Sequence, residues 1–444
     1  MGKLFGTDGI RGIVEEDLTC ELAMKVGIAA AYVLGKTKNV TVLVGRDTRI
    51  SGQMLSAALS AGLMSRGAKV IDLGVVPTPL VSYLVKKYNA TMGAMISASH
   101  NPYEYNGIKL FDSEGFKLPD AVENEIEKYL LGKKVPNCDK VGTYEICQTA
   151  VEDYTNYLSS TSRSINNKLK IVVDCAFGSA SETASILFKK LGLSPIIIND
   201  KYNGYDINKN AGSTHLEGLI DKVISSKADL GIAYDGDADR CLMVDAGGNI
   251  VDGDQIMAIS SLSLKNRGLL NGNTLVGTVM SNLGLEKFCE RKNIKFEKTK
   301  VGDRYVLEKM LEHNYVLGGE QSGHVIFKDL ANTGDGQLTS VQMLNIITEE
   351  GKTLHELGCL MKKYPQVLVN VSVKEEGKTQ YENDTLIINT IEDVRKKLGN
   401  EGRVLIRPSG TEGLIRVMIE GLNHEDITNM ANEIANIIKI KFGN

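Results

Sequence analysis

The sequence predicts an α/β protein, with three successive α/β/α mixed-sheet domains followed by a small α+β C-terminal domain. Short apolar segments rich in Val and Ile alternate with amphipathic segments of helical length, a pattern typical of helices covering a mostly parallel sheet. The alternation restarts twice along the chain and changes near residue 363. A length of 444 residues accommodates several domains of about 100–200 residues each.

We place the domains at residues 1–148, 149–250, 251–362 and 363–444. A loose polar stretch that ends near residue 147 separates the first domain from the second. The three α/β segments share a rhythm of elements but no clear sequence repeat. The final segment, about 80 residues long, lies within the usual size range of a domain.

In the first domain, a glycine-rich segment precedes the alternating elements. Gly6-Thr7-Asp8-Gly9-Ile10-Arg11-Gly12 is interpreted as a loop that presents backbone N–H groups and a guanidinium to an anion, while an ordinary turn remains the alternative. Ser51 is a candidate cap for the second helix. The predicted elements are helices over 22–34, 53–65, 81–88 and 123–131 and strands over 40–44, 70–73 and 92–96.

The last of these strands runs into Ser97-Ala98-Ser99-His100-Asn101-Pro102. Pro102 cannot continue a strand ladder, so a polar turn lifts Ser99 and His100 out of the sheet. Ligands of open α/β sheets bind at such strand ends, which makes Ser99 a candidate nucleophile or phosphate carrier, or merely a turn former. Asn106-Gly107 predicts a hairpin-like turn that leads Lys109 back towards Ser99.

The second and third domains repeat the alternation of strands and helices, and the fourth domain has an α+β pattern instead. The predicted strands are 169–174, 195–198, 228–234, 241–245, 274–279, 296–301, 315–319, 363–373, 402–406 and 414–420. The predicted helices are 150–158, 181–191, 251–264, 283–291, 306–312, 337–349, 391–398 and 425–439.

A candidate metal site follows the strand 228–234. Asp235, Asp237 and Asp239 occupy alternate positions of a turn, where three carboxylates can converge on one hard cation such as Mg²⁺. An EF-hand is excluded, because its sixth and twelfth positions would be Arg240 and Ala246 instead of Gly and Glu. Arg240 indicates that the site also holds an anion, although a solvated acidic turn is the alternative.

Two further polar loops lie in the third and fourth domains. Glu320-Gln321-Ser322-Gly323-His324 places a carboxylate, a hydroxyl and an imidazole at alternate positions, which suits hydrogen bonding to a polyol. Arg407-Pro408-Ser409-Gly410-Thr411, with Arg416 on the next strand, is a candidate phosphate clamp or an ordinary turn. With one such loop in each domain, we expect an active-site cleft for a phosphosugar at the four-domain junction.

Composition narrows the function classes. The chain has 51 basic and 55 acidic residues, a net charge of −4, which gives no basic excess for nucleic acid or an anionic membrane. Its seven cysteines form no CxxC pair, so a disulfide framework or cysteine metal cluster is not expected. Because there is also no apolar signal segment or membrane span, we expect a cytoplasmic protein.

Five segments, in order and from end to end of the chain, resemble the α-D-phosphohexomutase family. They are Gly6-Thr7-Asp8-Gly9-Ile10-Arg11-Gly12, Ala98-Ser99-His100-Asn101-Pro102, Asp235-Gly236-Asp237-Ala238-Asp239-Arg240, Gly319-Glu320-Gln321-Ser322-Gly323-His324 and Arg407-Pro408-Ser409-Gly410-Thr411-Glu412. Gln321 and the segments 299–305 and 333–336 favour a member that acts on hexosamine 6-phosphate, with a phosphomannomutase or phosphoglucomutase as the alternative.

The resemblance implies a phosphoserine enzyme that works through a sugar 1,6-bisphosphate and produces glucosamine 1-phosphate for UDP-N-acetylglucosamine synthesis. The resemblance also suggests a homodimer. It also assigns residues: Ser99 as the phosphoserine; Asp235, Asp237, Asp239 and a Ser99 phosphate oxygen as Mg²⁺ ligands; Lys109 and His324 as acid/base groups; Arg11, His100 and Arg240 near the transferring group; Glu320 and Ser322 on sugar hydroxyls; and Arg407, Ser409, Gly410, Thr411 and Arg416 on the non-reacting phosphate.

Two other classes of function are compatible with parts of this pattern. A Mg²⁺-dependent phosphatase would use the same aspartates but release inorganic phosphate. A non-catalytic phosphosugar-binding protein would not need Ser99 together with the three aspartates. One position departs from the family pattern: Gly413 stands where proline is frequent, and we expect a looser phosphate loop there.

Overall fold

The computed structural model describes residues 4–6, 8–35, 40–374, 376–409 and 413–443. The strands, in chain order, are β1 (Phe5–Gly6), β2 (Gly9–Ile13), β3 (Thr41–Arg46), β4 (Lys69–Val75), β5 (Met92–Ile96), β6 (Tyr105–Phe111), β7 (Tyr144–Ile146), β8 (Ile171–Asp174), β9 (Ile196–Ile198), β10 (Leu230–Tyr234), β11 (Cys241–Asp245), β12 (Ile250–Val251), β13 (Thr274–Thr278), β14 (Lys295–Thr299), β15 (Leu317–Gly319), β16 (Val325–Phe327), β17 (Gln366–Ser372), β18 (Arg403–Pro408) and β19 (Leu414–Glu420).

The helices alternate with these strands. They are α1 (Cys20–Leu34), α2 (Gly52–Met64), α3 (Thr78–Lys87), α4 (Asp120–Leu130), α5 (Ala150–Ser160), α6 (Ala184–Lys190), α7 (Glu217–Ser226), α8 (Gly253–Asn266), α9 (Leu283–Arg291), α10 (Asp303–His313), α11 (Gly336–Glu350), α12 (Leu354–Gly358), α13 (Gly377–Gln380), α14 (Thr385–Leu398) and α15 (His424–Phe442).

The strands of the described residues form four sheets, with orders β1-β2-β6-β5-β3-β4-β7, β12-β11-β10-β8-β9, β14-β13-β15-β16 and β17-β19-β18. The first three mix parallel and antiparallel pairs, for example β3 parallel to β5 and β5 antiparallel to β6. The fourth is antiparallel throughout. Three mixed α/β sheets followed by an α+β segment confirm the predicted fold class.

By its contacts the chain divides into two compact units. One comprises Met1–Met280 and Ile294–Leu360, and the other Ser281–Asn293 and Met361–Asn444. The domain boundaries at 148, 250 and 362 stay a prediction.

The core of the first unit includes a cluster in which strand β3 packs on the α1–α2 pair, with Val42, Val44 and Leu59 fully buried. In the second unit the alternate residues Ile415, Val417 and Ile419 of β19 join one core cluster, as the two-residue period of a strand requires. Neither unit, within the described residues, contains a helix both long and apolar enough to cross a membrane.

Three local expectations from the sequence are wrong. Asn106-Gly107 is no turn but part of β6, which is hydrogen-bonded to β2 on one side and β5 on the other. A Cβ on Gly107 would lie 2.6 Å from the Ser97 carbonyl oxygen, so this glycine permits a close approach of two backbones.

The other two concern the N-terminal segment and the second helix. Gly9–Ile13 forms strand β2 rather than an open loop, and Thr7 lies outside the described residues. The Ser51 side chain does not cap α2 but accepts a hydrogen bond from Asn106.

Candidate functional site

Ser99 sits in a strained turn directly after β5. Its backbone has a φ of +53°, in the left-handed region that non-glycine residues rarely occupy. Such strain persists only where the surroundings hold it, and it clusters at functional sites. The side chain is 1 % exposed, and the hydroxyl donates a hydrogen bond of 2.6 Å to Asp235 Oδ2.

Residues from other parts of the first unit hold this turn in place. The Ser99 carbonyl oxygen accepts hydrogen bonds from Arg49 (3.1 Å) and Asn208 (2.9 Å). Arg49 is itself fully buried and paired with Asp47. A Cβ on Gly236 would lie 2.6 Å from the same carbonyl oxygen. The loop of residues 235–240, called the aspartate loop below, can therefore approach the Ser99 turn because Gly236 has no side chain.

The aspartate loop lies between β10 and β11, as predicted. Oxygens of Asp235, Asp237 and Asp239 all lie within 4.8 Å of one another, and the three residues are buried. Oδ1 of Asp237 and Oδ1 of Asp239 are buried without a hydrogen-bond partner. Burial, followed by the like charges of Asp239 and Asp237, raises the pKa of Asp235. Clustered, partly unsatisfied carboxylate oxygens fit a hard divalent cation, so this is a candidate metal site.

Lys109 faces the loop from β6. Its ammonium, 1 % exposed, lies 2.7 Å from Asp237 Oδ2 and 3.0 Å from Asp8 Oδ2. Burial disfavours the charged form, but the surrounding carboxylates outweigh it and raise the pKa of Lys109. Lys109 is therefore charged in the structure, which suits it to stabilise a transferring phosphoryl group.

Further cationic and imidazole groups surround the serine. Arg11 pairs with Asp8 and lies 3.5 Å from the Ala98 carbonyl oxygen, while Arg240 Nε lies about 4 Å from the Asp235 and Asp239 carboxylates. His100 Nδ1 is 3.4 Å from Ser99 Oγ. Burial and the guanidinium groups of Arg240 and Arg11 lower the pKa of His100 to about 3, so this imidazole is neutral near pH 7.

The structure also reveals functional candidates that the sequence reasoning missed. Lys117 bridges Asp8 of the first domain to Asp303 at the start of α10, with 2.5 Å to Asp303 Oδ2. Thr78, which opens α3, donates to Asp237 Oδ2 at 2.6 Å. No local sequence pattern identifies Lys117 or Thr78, although Asp8 and Asp303 each lie inside a segment that carries the family resemblance.

The segment predicted to bind a polyol, residues 320–324, connects β15 to the antiparallel strand β16. Gly302 N–H donates to Glu320 Oε1 at 3.0 Å, whereas the Ser322 hydroxyl is buried without a hydrogen-bond partner. Neither ring nitrogen of His324 has a hydrogen-bond partner, and Nε2 lies 3.5 Å from Asp303. A buried hydroxyl and imidazole without partners are positioned for a polar ligand.

Glycine also shapes this loop, because Gly334 packs against the His324 ring. A Cβ at residue 334 would lie 2.5 Å from ring atoms Cε1 and Nε2. The segment 333–336, which the sequence associated with hexosamine phosphates, thus determines where the imidazole lies.

The second unit carries the predicted phosphate clamp. Arg407 belongs to β18 rather than to a loop, and it pairs in register with Arg416 of β19. Burial and the Arg416 charge lower the pKa of Arg407. Ser409 is buried and its N–H donates to the Leu414 carbonyl, whereas the predicted sites Gly410 and Thr411 lie outside the described residues. Two guanidinium groups at one cross-strand position favour an anion between them.

Comparison with known proteins covers the whole chain. Models of the phosphoglucomutase/phosphomannomutase family match as α/β/α domain I (residues 2–135), α/β/α domain II (152–248), α/β/α domain III (252–364) and C-terminal domain (368–437). A phosphoglucosamine mutase from Caldicellulosiruptor saccharolyticus is 54 % identical over 446 residues, covering 99 % of each chain.

Solved structures share the fold. A phosphoglucomutase/phosphomannomutase family protein from Burkholderia thailandensis superimposes with a TM-score of 0.83 at 24 % identity, covering 98 % of this chain and 97 % of that one. An N-acetylphosphoglucosamine mutase from Aspergillus fumigatus, solved with GlcNAc-6P and magnesium, has a TM-score of 0.70 at 19 % identity, covering 98 % and 95 %. With all four domain models matched in order, the chain belongs to the phosphoglucomutase/phosphomannomutase family.

Proposed function

We propose that the protein is a phosphoglucosamine mutase, which interconverts glucosamine 6-phosphate and glucosamine 1-phosphate through phosphorylated Ser99. The observation that carries this proposal is the Ser99 hydroxyl, held in a left-handed turn 2.6 Å from Asp235 of the three-aspartate cluster. The 54 % identical relative over the full chain bears the name of this activity. A phosphomannomutase or phosphoglucomutase would use the same serine, so substrate preference is part of the test.

The reaction begins with phosphorylated Ser99. The O1 hydroxyl of glucosamine 6-phosphate attacks the seryl phosphorus, an O1–P bond forms, and the Oγ–P bond breaks with its electron pair left on Oγ. The resulting 1,6-bisphosphate rotates in the site, Oγ attacks the 6-phosphorus, and the O6–P bond breaks with its electron pair left on O6, which takes up the proton that O1 released. Glucosamine 1-phosphate leaves, and the phosphoserine is restored. Reorientation requires binding groups that accept either phosphate.

Asp235, Asp237 and Asp239, with an oxygen of the Ser99 phosphate, would hold Mg²⁺. The partnerless carboxylate oxygens of Asp237 and Asp239 fit this assignment. When bound, the ion would withdraw charge from the seryl phosphate and so ease its transfer. Thr78 and Lys109 both donate to Oδ2 of Asp237, which leaves Oδ1 of the same carboxylate available as a ligand.

Cationic side chains around Ser99 add to the electrostatic stabilisation of the transferring group. Lys109, Arg11 and Arg240 neutralise the charge that develops on the transferring phosphoryl oxygens. We assign the proton of the attacking hydroxyl to His324, whose ring nitrogens lack hydrogen-bond partners in the structure, and keep Lys109 as the second acid/base candidate. His100, neutral near pH 7, orients Ser99 through Nδ1.

The remaining predicted residues bind the sugar and its second phosphate. Glu320 and Ser322 are assigned to the sugar hydroxyls. For the phosphate that is not transferred we propose a set on and after β18: Arg407, Ser409, Gly410, Thr411 and Arg416. The family resemblance also implies a homodimer, which sedimentation equilibrium would test.

The proposal is tested by assay and mass spectrometry of the purified protein. We expect phosphate on the Ser99 peptide after incubation with a hexose 1,6-bisphosphate, and conversion of glucosamine 6-phosphate faster than of glucose or mannose 6-phosphate. Ser99→Ala should lower turnover by about a thousandfold or more, while the exposed control Ser160→Ala should not. An unmodified Ser99 with full activity in Ser99→Ala contradicts the phosphoserine, and net release of inorganic phosphate identifies a phosphatase.

A further inference from the structure

Away from the Ser99 site, three side chains of the first unit form a thiol–imidazole–carboxylate series. His355 Nδ1 lies 2.7 Å from Asp245 Oδ2, and His355 Nε2 lies 3.7 Å from the sulfur of Cys359. Asp245 is 2 % exposed, His355 is 61 % exposed, and Cys359 is exposed. The buried carboxylate therefore supports an imidazole that faces a solvent-accessible thiol.

Two separate elements create this arrangement. His355 and Cys359 lie four residues apart at helix α12, and the Cys359 N–H donates to the His355 carbonyl oxygen, so their side chains share one face. A capping box between Thr353 and Glu356 fixes the start of this helix. Asp245 comes from the end of β11, more than one hundred residues earlier in the chain.

The Asp245 carboxylate is held in its ionised form. Its Oδ1 accepts hydrogen bonds from the Gly247 and Asn249 N–H groups, each at 2.9 Å. Burial opposes ionisation, but the Asn249, His355 and Gly247 hydrogen bonds outweigh it and lower the pKa of Asp245. Asp245 is thus an acceptor, and Nδ1 of His355 is the donor to it.

This tautomer determines what the other ring nitrogen does. With the proton on Nδ1, Nε2 carries a lone pair directed at the thiol. A nucleophile, a base and a carboxylate that orients the base are the arrangement that activates thiols in other proteins. Among the described residues, Glu356 of this helix interacts electrostatically with His355 and with Lys352, and from α8 the neutral amide of Gln255 donates to the Gly358 carbonyl oxygen. Cys20 and Cys147 lie in other settings, beside Glu15 and the Tyr88 hydroxyl respectively.

We propose that Cys359 is a modification site that exchanges with low-molecular-weight disulfides. His355 Nε2 takes the thiol proton, and the Cys359 thiolate attacks one sulfur of the disulfide. A new S–S bond forms at Cys359, the reagent's S–S bond breaks, and its second sulfur leaves as a thiolate that is protonated from the imidazolium. Cys359 is oxidised to a mixed disulfide, and the reagent is reduced to one thiol. The site does not depend on the mutase reaction.

The test uses glutathione disulfide on the full chain, followed by tryptic mass spectrometry. The peptide 353–362 contains Cys359, and the peptide 135–140 contains Cys138 as an internal reference. We expect Cys359 to be modified at least about fivefold faster than Cys138 near pH 7, because the thiolate is the attacking species. His355→Gln should slow the modification of Cys359 by about fivefold or more.

The exposed imidazole of His313, on α10, provides a matched control. His313→Gln should leave the rate at Cys359 unchanged, and mutase activity of His355→Gln reports that the variant is folded. If His355→Gln slows modification of Cys359 by less than about fivefold, the imidazole does not activate this thiol and the proposal is wrong.

Discussion

Two regions of the molecule contain the residues that we assign to phosphate binding, and they differ in how their charged side chains are paired. Around Ser99, buried carboxylates and cations alternate, with Lys109 between Asp8 and Asp237 and Lys117 between Asp8 and Asp303. On β18 and β19, Arg407 and Arg416 occupy opposed positions of one strand pair.

The difference shows in the direction of the pKa shifts. The pKa of Lys109 is raised because carboxylates surround it, whereas the pKa of Arg407 is lowered by burial and by Arg416. The first region is organised by ion pairs within the protein, which position groups for chemistry. The second holds like charges together, an arrangement that an anionic ligand relieves. Substitutions should therefore affect folding and turnover in the first region but mainly ligand binding in the second.

The largest effect is expected from Lys109→Met. It leaves the buried carboxylate of Asp237 without its ammonium partner, which should lower the free energy of unfolding by about 3–5 kcal/mol. Chemical denaturation checks this value. The control Lys25→Met removes an exposed pair with Glu21 and should change stability by less than about 0.5 kcal/mol. Equal effects of the two substitutions would show that the charges around Ser99 are not organised as described.

The next effect concerns the geometry of the first region. Gly334→Ala would place a methyl group 2.5 Å from the His324 ring, so the imidazole must move. A displacement of about 1 Å lowers turnover by roughly a hundredfold, and we expect a loss of that size in kcat. Gly218→Ala, where a Cβ meets nothing within 4 Å, is the control. Retention of kcat in Gly334→Ala would remove His324 from the reaction.

For the second region, Arg407→Gln should raise KM for glucosamine 6-phosphate about tenfold with kcat little changed, because a charge-assisted contact present in both ground and transition states is lost. Stability without ligand should not fall, since a like-charge neighbour of Arg416 is removed. Arg395→Gln, which alters an exposed pair with Glu392 in the same unit, is the control. A fall in kcat with constant KM would place Arg407 among the transition-state contacts instead.

The smallest effect concerns a carboxylate in the first region that has hydrogen bonds but no ion pair among the described contacts. Asp335 accepts from the Leu338 N–H and the Tyr154 hydroxyl. Burial raises its pKa from 3.8 to about 6. The folded protein thus binds this proton more tightly than the unfolded chain does. The contribution of Asp335 to the free energy of unfolding therefore decreases as pH rises from about 3.8 to 6, because the ionised carboxylate is disfavoured in the folded state.

Asp335→Asn removes that dependence, and Asn also serves as a helix N-cap. Relative to the parent, the variant should gain stability on the order of 1 kcal/mol or more as pH rises from 4 to 7. Urea denaturation at a series of pH values measures the difference. A constant difference across this range would mean that Asp335 titrates normally.

Much of the site was predictable because its chemistry is local in the sequence. Ser99 before Pro102, and three aspartates at alternate positions, are patterns whose meaning does not depend on distant residues. The interpretation of Asn106-Gly107 as a turn failed for the converse reason: Gly107 serves a close approach to the Ser97 carbonyl across the sheet, which no neighbour in sequence indicates.

The sequence by itself determined the α/β class and predicted the serine turn, the aspartate cluster and two further candidate ligand segments, because strand periodicity, turn chemistry and charge type act over a few residues. Only the tertiary structure decided that Lys109 is a buried cation, that Lys117 links Asp8 to Asp303, and that Asp245 orients His355 towards Cys359. These contacts join residues far apart along the chain. Whether a charged side chain is solvated, paired or activated depends on what packing brings beside it.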